Sequence, residues 1–167
     1  MIREVHAMPL TPEAFAPFGD VVAAGLRDGA SANQGTALRF DGSARLESQR
    51  PEARPNLAVF RSVARSLPLD VDLLEKHPRS SQTFLPMVCV RFLVCVAPVS
   101  PDGKPDVDRL VAFLCAPGQG INYLPDTWHH PIVALDGPAE FAMLAWEDGT
   151  PLDCVEFPLE EPVRIVE

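Results

Sequence analysis

No stretch of this 167-residue chain concentrates Lys and Arg, and acidic residues outnumber basic ones 23 to 14. Affinity for a phosphate backbone needs clustered cations, so no nucleic-acid partner is expected. Apolar runs approaching the roughly 18 residues of a membrane span are also missing, so no membrane partner is expected either. The opening "MIREVHAMPL" carries charges where a secretory signal has an apolar core, and the sequence reads as cytoplasmic. Four cysteines (Cys89, Cys95, Cys115, Cys154) show no CxxC spacing, and three of them lie in apolar runs. They are expected as small buried hydrophobes, not as disulfides or a thiolate metal site. Histidine is scarce, at four, and tyrosine occurs once. Chemistry that needs an imidazole therefore has few positions to choose from.

Proline and glycine are plentiful instead, at 18 and 10, and they cut the chain into short pieces. That pattern favours many strands and turns over long helices, in one domain spanning residues 1–167. A short helix is expected in "TPEAFAPFGDVV", with Thr11 as N-cap, Pro12 in the first turn and Gly19 at its end. Apolar strands are expected in "NLAVFRSV", "TFLPMVCVRFLVCVAP", "LVAFLCAP", "PIVALDG", "AEFAMLAWE" and "DCVEFPL". Turn signals such as "SPDGKPD", "PGQG" and "EDGTP" separate them. The nearly continuous "VCVRFLVCVAP" predicts a strand covered on both faces. Six or more such strands point to a β-sandwich or small barrel. The acidic tail "EFPLEEPVRIVE" reads as a solvated end.

Two segments concentrate groups able to do chemistry. In "LEKHPRSSQTFLPM", His77 precedes a proline and Gln82 follows five residues later. The spacing is similar to the first motif of cupins, double-sheet β-barrels that bind a metal inside the barrel. The metal-ligand positions would then be His77 and Gln82, with Glu75 as a further candidate. In "GINYLPDTWHH", similar to the second cupin motif, the histidine of that motif falls on His130. Neighbouring strand residues face opposite ways, so His130 is expected inward and His129 outward. His77, Gln82 and His130 form the expected ligand set, suited to a divalent transition metal. Trp128 and Tyr123 beside the His pair are the kind of groups that line small-molecule pockets. Arg39, with Asn33 nearby, is a candidate grip on a substrate carboxylate. Arg91 interrupts an apolar strand and reads as structural, and His6 as structural or exposed.

The order and spacing of "LTPEAFAPFGDVV", "NQG…LRF", "HP…SQ.F.PM", "GKPDVDRLVAFL" and "GQG.NY….WHHP" resemble the ureidoglycolate lyase family along nearly the whole chain. The resemblance implies a mainly β, cupin-like double-sheet barrel with a few short helices, a homodimer, and a place in allantoin breakdown within purine catabolism. It also implies cleavage of ureidoglycolate to glyoxylate and urea, with nickel or a similar divalent ion. On that reading His130, His129 and Tyr123 are catalytic candidates, and Arg39, Asn33, Asn122, Gln82 and Trp128 are candidates for substrate contact. Two other outcomes stay open: an amidohydrolase releasing ammonia and carbon dioxide from the same substrate, and a non-catalytic cupin that binds a small carboxylate.

Overall fold

A computed structural model describes residues 2–167. Two antiparallel-rich sheets face one another and enclose an apolar interior, the double-sheet barrel that the resemblance implies. The larger sheet has eight strands and holds Leu69–Lys76, Trp128–His129 and Arg91–Ala97 as successive neighbours. The smaller has five, in the order Gly19–Val22, Gly120–Tyr123, Gln82–Val88, Ala139–Glu147, Arg54–Ser62. A separate hairpin pairs Ala30–Ala32 with Ala37–Arg39.

The strand Arg91–Ala97 shows why its sequence is apolar without alternation. Phe92, Val94 and Val96 enter the core between the sheets, while Leu93, Cys95 and Ala97 enter a second cluster on the opposite face. Both faces are buried, so neither tolerates polar side chains. Arg91, at the rim, donates to the carboxylates of Asp136 and Glu167 and has the structural role expected of it. Cys95 and Cys115 are buried, Cys89 is half-buried and Cys154 is exposed, all as free thiols. Burial pushes the Cys95 thiol up to about 12, leaving it a small inert hydrophobe. Exposed His6 approaches the Glu167 carbonyl through Nδ1 at 3.1 Å.

Three expectations need correction. The helix is shorter than its sequence pattern: it spans Pro12–Phe15, with Thr11 Oγ1 accepting from Ala14 N at 3.2 Å. Gly19 does not cap it. Gly19 opens a strand against Tyr123, where an added Cβ would stand 1.9 Å from the Asn122 carbonyl oxygen. The long run from Thr83 to Ala97 is two strands, broken at Cys89 and Val90 so that each half joins a different sheet. The acidic tail is not a solvated end either. Val155–Val166 is a strand on Leu69–Lys76, and it buries Val163 and Ile165. Its register shifts between Pro158 and Val163, which absorbs the two prolines that lack a ladder donor.

Candidate active site

His129 lies opposite Glu75 on one neighbouring strand and Val96 on the other. Directly opposed residues share a face. Val96 belongs to the core between the sheets, so His129 and Glu75 point into that space. Alternation then sends Trp128 to the opposite face, where Lys76 Nζ sits 4.6 Å from its ring centre and its Nε1 donates to the Gly103 carbonyl at 3.3 Å. The expected orientation of the pair is thereby reversed. His129 is inward and fully buried, and His130 follows the end of the short strand, half-buried.

Each of these imidazoles meets a backbone carbonyl at Nδ1. His77 reaches the Asp153 carbonyl at 2.6 Å, His129 that of Thr127 at 2.8 Å and His130 that of Leu73 at 2.9 Å. A carbonyl only accepts, so Nδ1 carries the hydrogen and a neutral ring keeps its lone pair at Nε2. The Nε2 atoms of both His77 and His129 are buried without a hydrogen-bond partner. Glu75 Oε1 stands 3.5 Å from His129 Nε2, at the outer limit of hydrogen-bond reach. His129 beside it holds the Glu75 carboxyl below the usual range, against the opposing effect of burial. Burial, followed by the charge of His129, depresses the His77 pKa, and burial also depresses that of His130.

One donor atom from each of Glu75, His77 and His129 lies within 4.8 Å of the others, a group able to hold a metal ion. Two unsatisfied imidazole lone pairs and one ionised carboxylate suit a divalent transition metal that keeps open positions. The expected set of His77, Gln82 and His130 is corrected accordingly. His130 belongs to no such group among the described residues, and Glu75 takes the carboxylate role. Gln82 faces Tyr123 across the sheet and presents Oε1 to the same region without a partner. Tyr123 stacks on His129, with ring centres 4.1 Å apart and planes 14° from parallel. Burial pushes its phenol well above the usual value, so it stays protonated.

Beside the triad is a cavity of about 380 Å³, whose lining includes His77, Gln82, Arg50, Trp146 and Asp153. Larger surface depressions exist, one of about 720 Å³ near Arg3 and Phe18. The cavity is singled out by unsatisfied polar atoms. Among the described residues, six buried side-chain atoms have neither a hydrogen bond nor a close ion pair: Arg50 Nε, His77 Nε2, Gln82 Oε1, Tyr123 OH, His129 Nε2 and Trp146 Nε1. Four belong to residues lining this cavity, and the other two form the His129–Tyr123 stack behind it. Buried polar groups are nearly always satisfied, so such a concentration marks a place kept for a ligand.

Sequence reasoning passed over Arg50, Trp146 and Asp153. Arg50 is 7% exposed, reaching Asp148 at 2.7 Å, Asp153 at 3.3 Å and the Trp146 carbonyl at 2.5 Å. Asp153 also accepts from Arg79 N at 2.8 Å and from Ser80 Oγ. Nothing local in "SQRPEARP" announces a buried guanidinium. Three expected substrate contacts are not brought to the cavity. Arg39 is exposed and pairs with Asp41 at 2.9 Å, Asn33 lies in an exposed turn, and Trp128 is on the far face. Asn122 is buried and fully engaged, accepting from Thr83 Oγ1 at 2.7 Å and donating to Asp20 at 3.1 Å and the Arg45 carbonyl at 3.0 Å. Both its N–H donors are spent and the residue is fully buried.

A family profile described as ureidoglycolate lyase matches residues 2–166. A ureidoglycolate lyase of Pseudomonas fluorescens SBW25 is 39% identical over 166 residues, covering 99% of this chain and 97% of the relative. One from Burkholderia cepacia is 41% identical over 152 residues, covering 90% and 84%. Among solved structures, a dTDP sugar isomerase from Desulfovibrio desulfuricans G20 aligns with a TM-score of 0.52 at 16% identity, covering 86% of this chain and 87% of that one. That likeness carries the cupin-type barrel and nothing about activity.

Proposed function

We propose, from the premise that this chain belongs to the ureidoglycolate lyase family, how its cavity splits ureidoglycolate into glyoxylate and urea. The observation that carries the reading is the meeting of Glu75, His77 and His129 beside a cavity that His77 lines and whose buried polar lining is unsatisfied. Hydrolysis to ammonia and carbon dioxide is not favoured, and neither is a purely binding role. The substrate bears hydroxyl, carboxylate and ureido nitrogen on one carbon. Loss of the hydroxyl proton lets that carbon become a carbonyl while the carbon–nitrogen bond breaks and urea leaves.

A divalent ion, nickel or similar, fits Glu75, His77 and His129, and when bound it would polarise the hydroxyl and lower its pKa. The Thr127 and Asp153 carbonyls keep both imidazoles in the tautomer that offers Nε2. His129 Nε2, with ionised Glu75 beside it, accepts the hydroxyl proton when no ion is held; with an ion on one atom of each of the three residues, the other Glu75 oxygen would take that role. The same group then gives the proton to the departing nitrogen, so no outside acid is consumed. Tyr123 stacks behind His129 and fixes the plane of its ring.

Purified protein given ureidoglycolate is expected to release urea and glyoxylate in equal amounts and no ammonia. Prior treatment with a chelator is expected to remove most of the activity, and added nickel to restore it. Ammonia in place of urea would overturn the lyase reading. Full activity after exhaustive chelation would leave His129 as the direct base.

The enzyme acts as one catalytic domain, in the cytoplasm and as a homodimer. The dimer reading is supported by the outer face of the five-stranded sheet. There Val59 lies level with Ala142 and Leu85, and Leu57 with Leu144; Leu57 is 71% exposed and Val59 61%. An apolar face of this kind marks an interaction site, and we assign a second copy of the chain to it. Val59→Glu is expected to convert a dimer to a monomer in sedimentation. A wild-type monomer at all concentrations would end this assignment.

A further inference from the structure

Arg50, Trp146 and Gln82 line the same cavity as His77, and their unsatisfied atoms have a defined chemistry. Arg50 Nε and Trp146 Nε1 are donors, and Gln82 Oε1 is an acceptor. A carboxylate could use the donors and would leave the Gln82 oxygen unsatisfied. A ureido group offers both complements, a carbonyl oxygen and N–H hydrogens.

Charge separates the two ligands further. The Arg50 guanidinium already faces two anions, Asp148 Oδ2 at 2.7 Å and Asp153 Oδ2 at 3.3 Å. Both acids are held in place. Asp148 Oδ1 accepts from Thr150 N at 3.0 Å and Thr150 Oγ1 at 2.6 Å, and Asp153 is tied to Arg79 N and Ser80 Oγ. A substrate carboxylate here would be a third anion around one cation and would meet the repulsion of two fixed neighbours. A neutral carbonyl needs only the free N–H.

We infer that Arg50, Trp146 and Gln82 form the ureido-binding subsite, with Arg50 Nε and Trp146 Nε1 donating to the ureido carbonyl and Gln82 Oε1 accepting from a ureido N–H. The inference rests on the lyase reading above. The hydroxyl and carboxylate then lie toward Glu75, His77 and His129. The subsite also acts on the reaction. When the carbon–nitrogen bond breaks, its electron pair passes to the ureido nitrogen and spreads onto the carbonyl oxygen. The oxygen becomes a stronger acceptor for donors already in place. The proton taken from the hydroxyl ends on that nitrogen, and neutral urea leaves.

Two unreactive fragments separate the ends of the substrate. N-carbamoylglycine keeps the ureido group and carboxylate and lacks the hydroxyl; glycolate keeps hydroxyl and carboxylate and lacks the ureido group. Their binding to wild type, Trp146→Phe and Arg50→Lys would be measured by calorimetry. Trp146→Phe removes the indole N–H and keeps an aromatic ring. Thermal unfolding of Arg50→Lys checks that the fold survives. Both variants are expected to weaken N-carbamoylglycine by about 5-fold or more, the scale of one lost hydrogen bond, and to leave glycolate within about 2-fold. Equal weakening of both fragments would assign the wall to the carboxylate and overturn the inference. No effect on either would remove the wall from the substrate site. The lyase reading fails separately: that result is the fragment pattern holding in a wild type that does not release urea from ureidoglycolate.

Discussion

His129→Ala is expected to lower kcat/KM by at least about 10²-fold, the least that a lost general acid or base costs, while His130→Ala costs less than about 10-fold. The two residues are neighbours with the same side chain, so a difference between them isolates geometry from composition. His129 presents an unsatisfied Nε2 within the Glu75–His77 group, and its ring is fixed by Tyr123 on one face and by the Thr127 carbonyl at Nδ1. His130 spends its Nδ1 on Leu73 of a neighbouring strand and contributes to no such group. Removing His129 also takes one of three metal donors, so metal content measured by atomic emission should fall in parallel with activity. Retained metal and activity in His129→Ala, with loss of both in His130→Ala, would show that the inward and outward assignments made here are wrong.

How far the sequence disclosed this site depended on the range of each interaction. Glu75 and His77 lie two apart on an extended segment, so their shared face follows from alternation alone. The apolar strand Arg91–Ala97 was legible for a similar reason, since twofold burial removes polar residues from both faces. The His129–His130 pair was legible as a pair only. Alternation says that one faces in, but which one depends on register with Glu75 and Val96, residues far away in sequence. A count from the motif chose the wrong member. Arg39 was singled out and Arg50 passed over because composition cannot weigh burial. The partners that sink Arg50 into the wall, Trp146, Asp148 and Asp153, come from a segment nearly a hundred residues later. The terminal segment read as a solvated end from its acidic residues, and the shifted register between Pro158 and Val163 is what lets the strand form around Pro158 and Pro162.

Asp153→Ala is expected to be the most destabilising single change at the cavity. The change takes one of two anions from the buried Arg50 guanidinium and leaves Arg79 N and Ser80 Oγ without their acceptor, which together cost about 3–5 kcal/mol. For a domain of this size that corresponds to a fall in Tm of roughly 6–20 °C. Asp153 is 6% exposed, and its carboxylate holds Arg79 N, Ser80 Oγ and the Arg50 guanidinium together. That one group thus joins the turn after His77, the ureido wall and the loop of its own segment. Asp148→Ala is the informative comparison, because Asp148 pairs with the same guanidinium from a more exposed position and its other oxygen only caps Thr150. It should lower Tm by clearly less than Asp153→Ala does. The activities should diverge as well. The Asp153 backbone accepts from His77 Nδ1, so loosening this segment frees the ring whose Nε2 completes the triad. Asp153→Ala should then lose metal affinity even at temperatures where it remains folded, and Asp148→Ala should not. Equal shifts in Tm for the two variants, with metal affinity unchanged in both, would mean that Asp153 merely fills space and that His77 is oriented by something else.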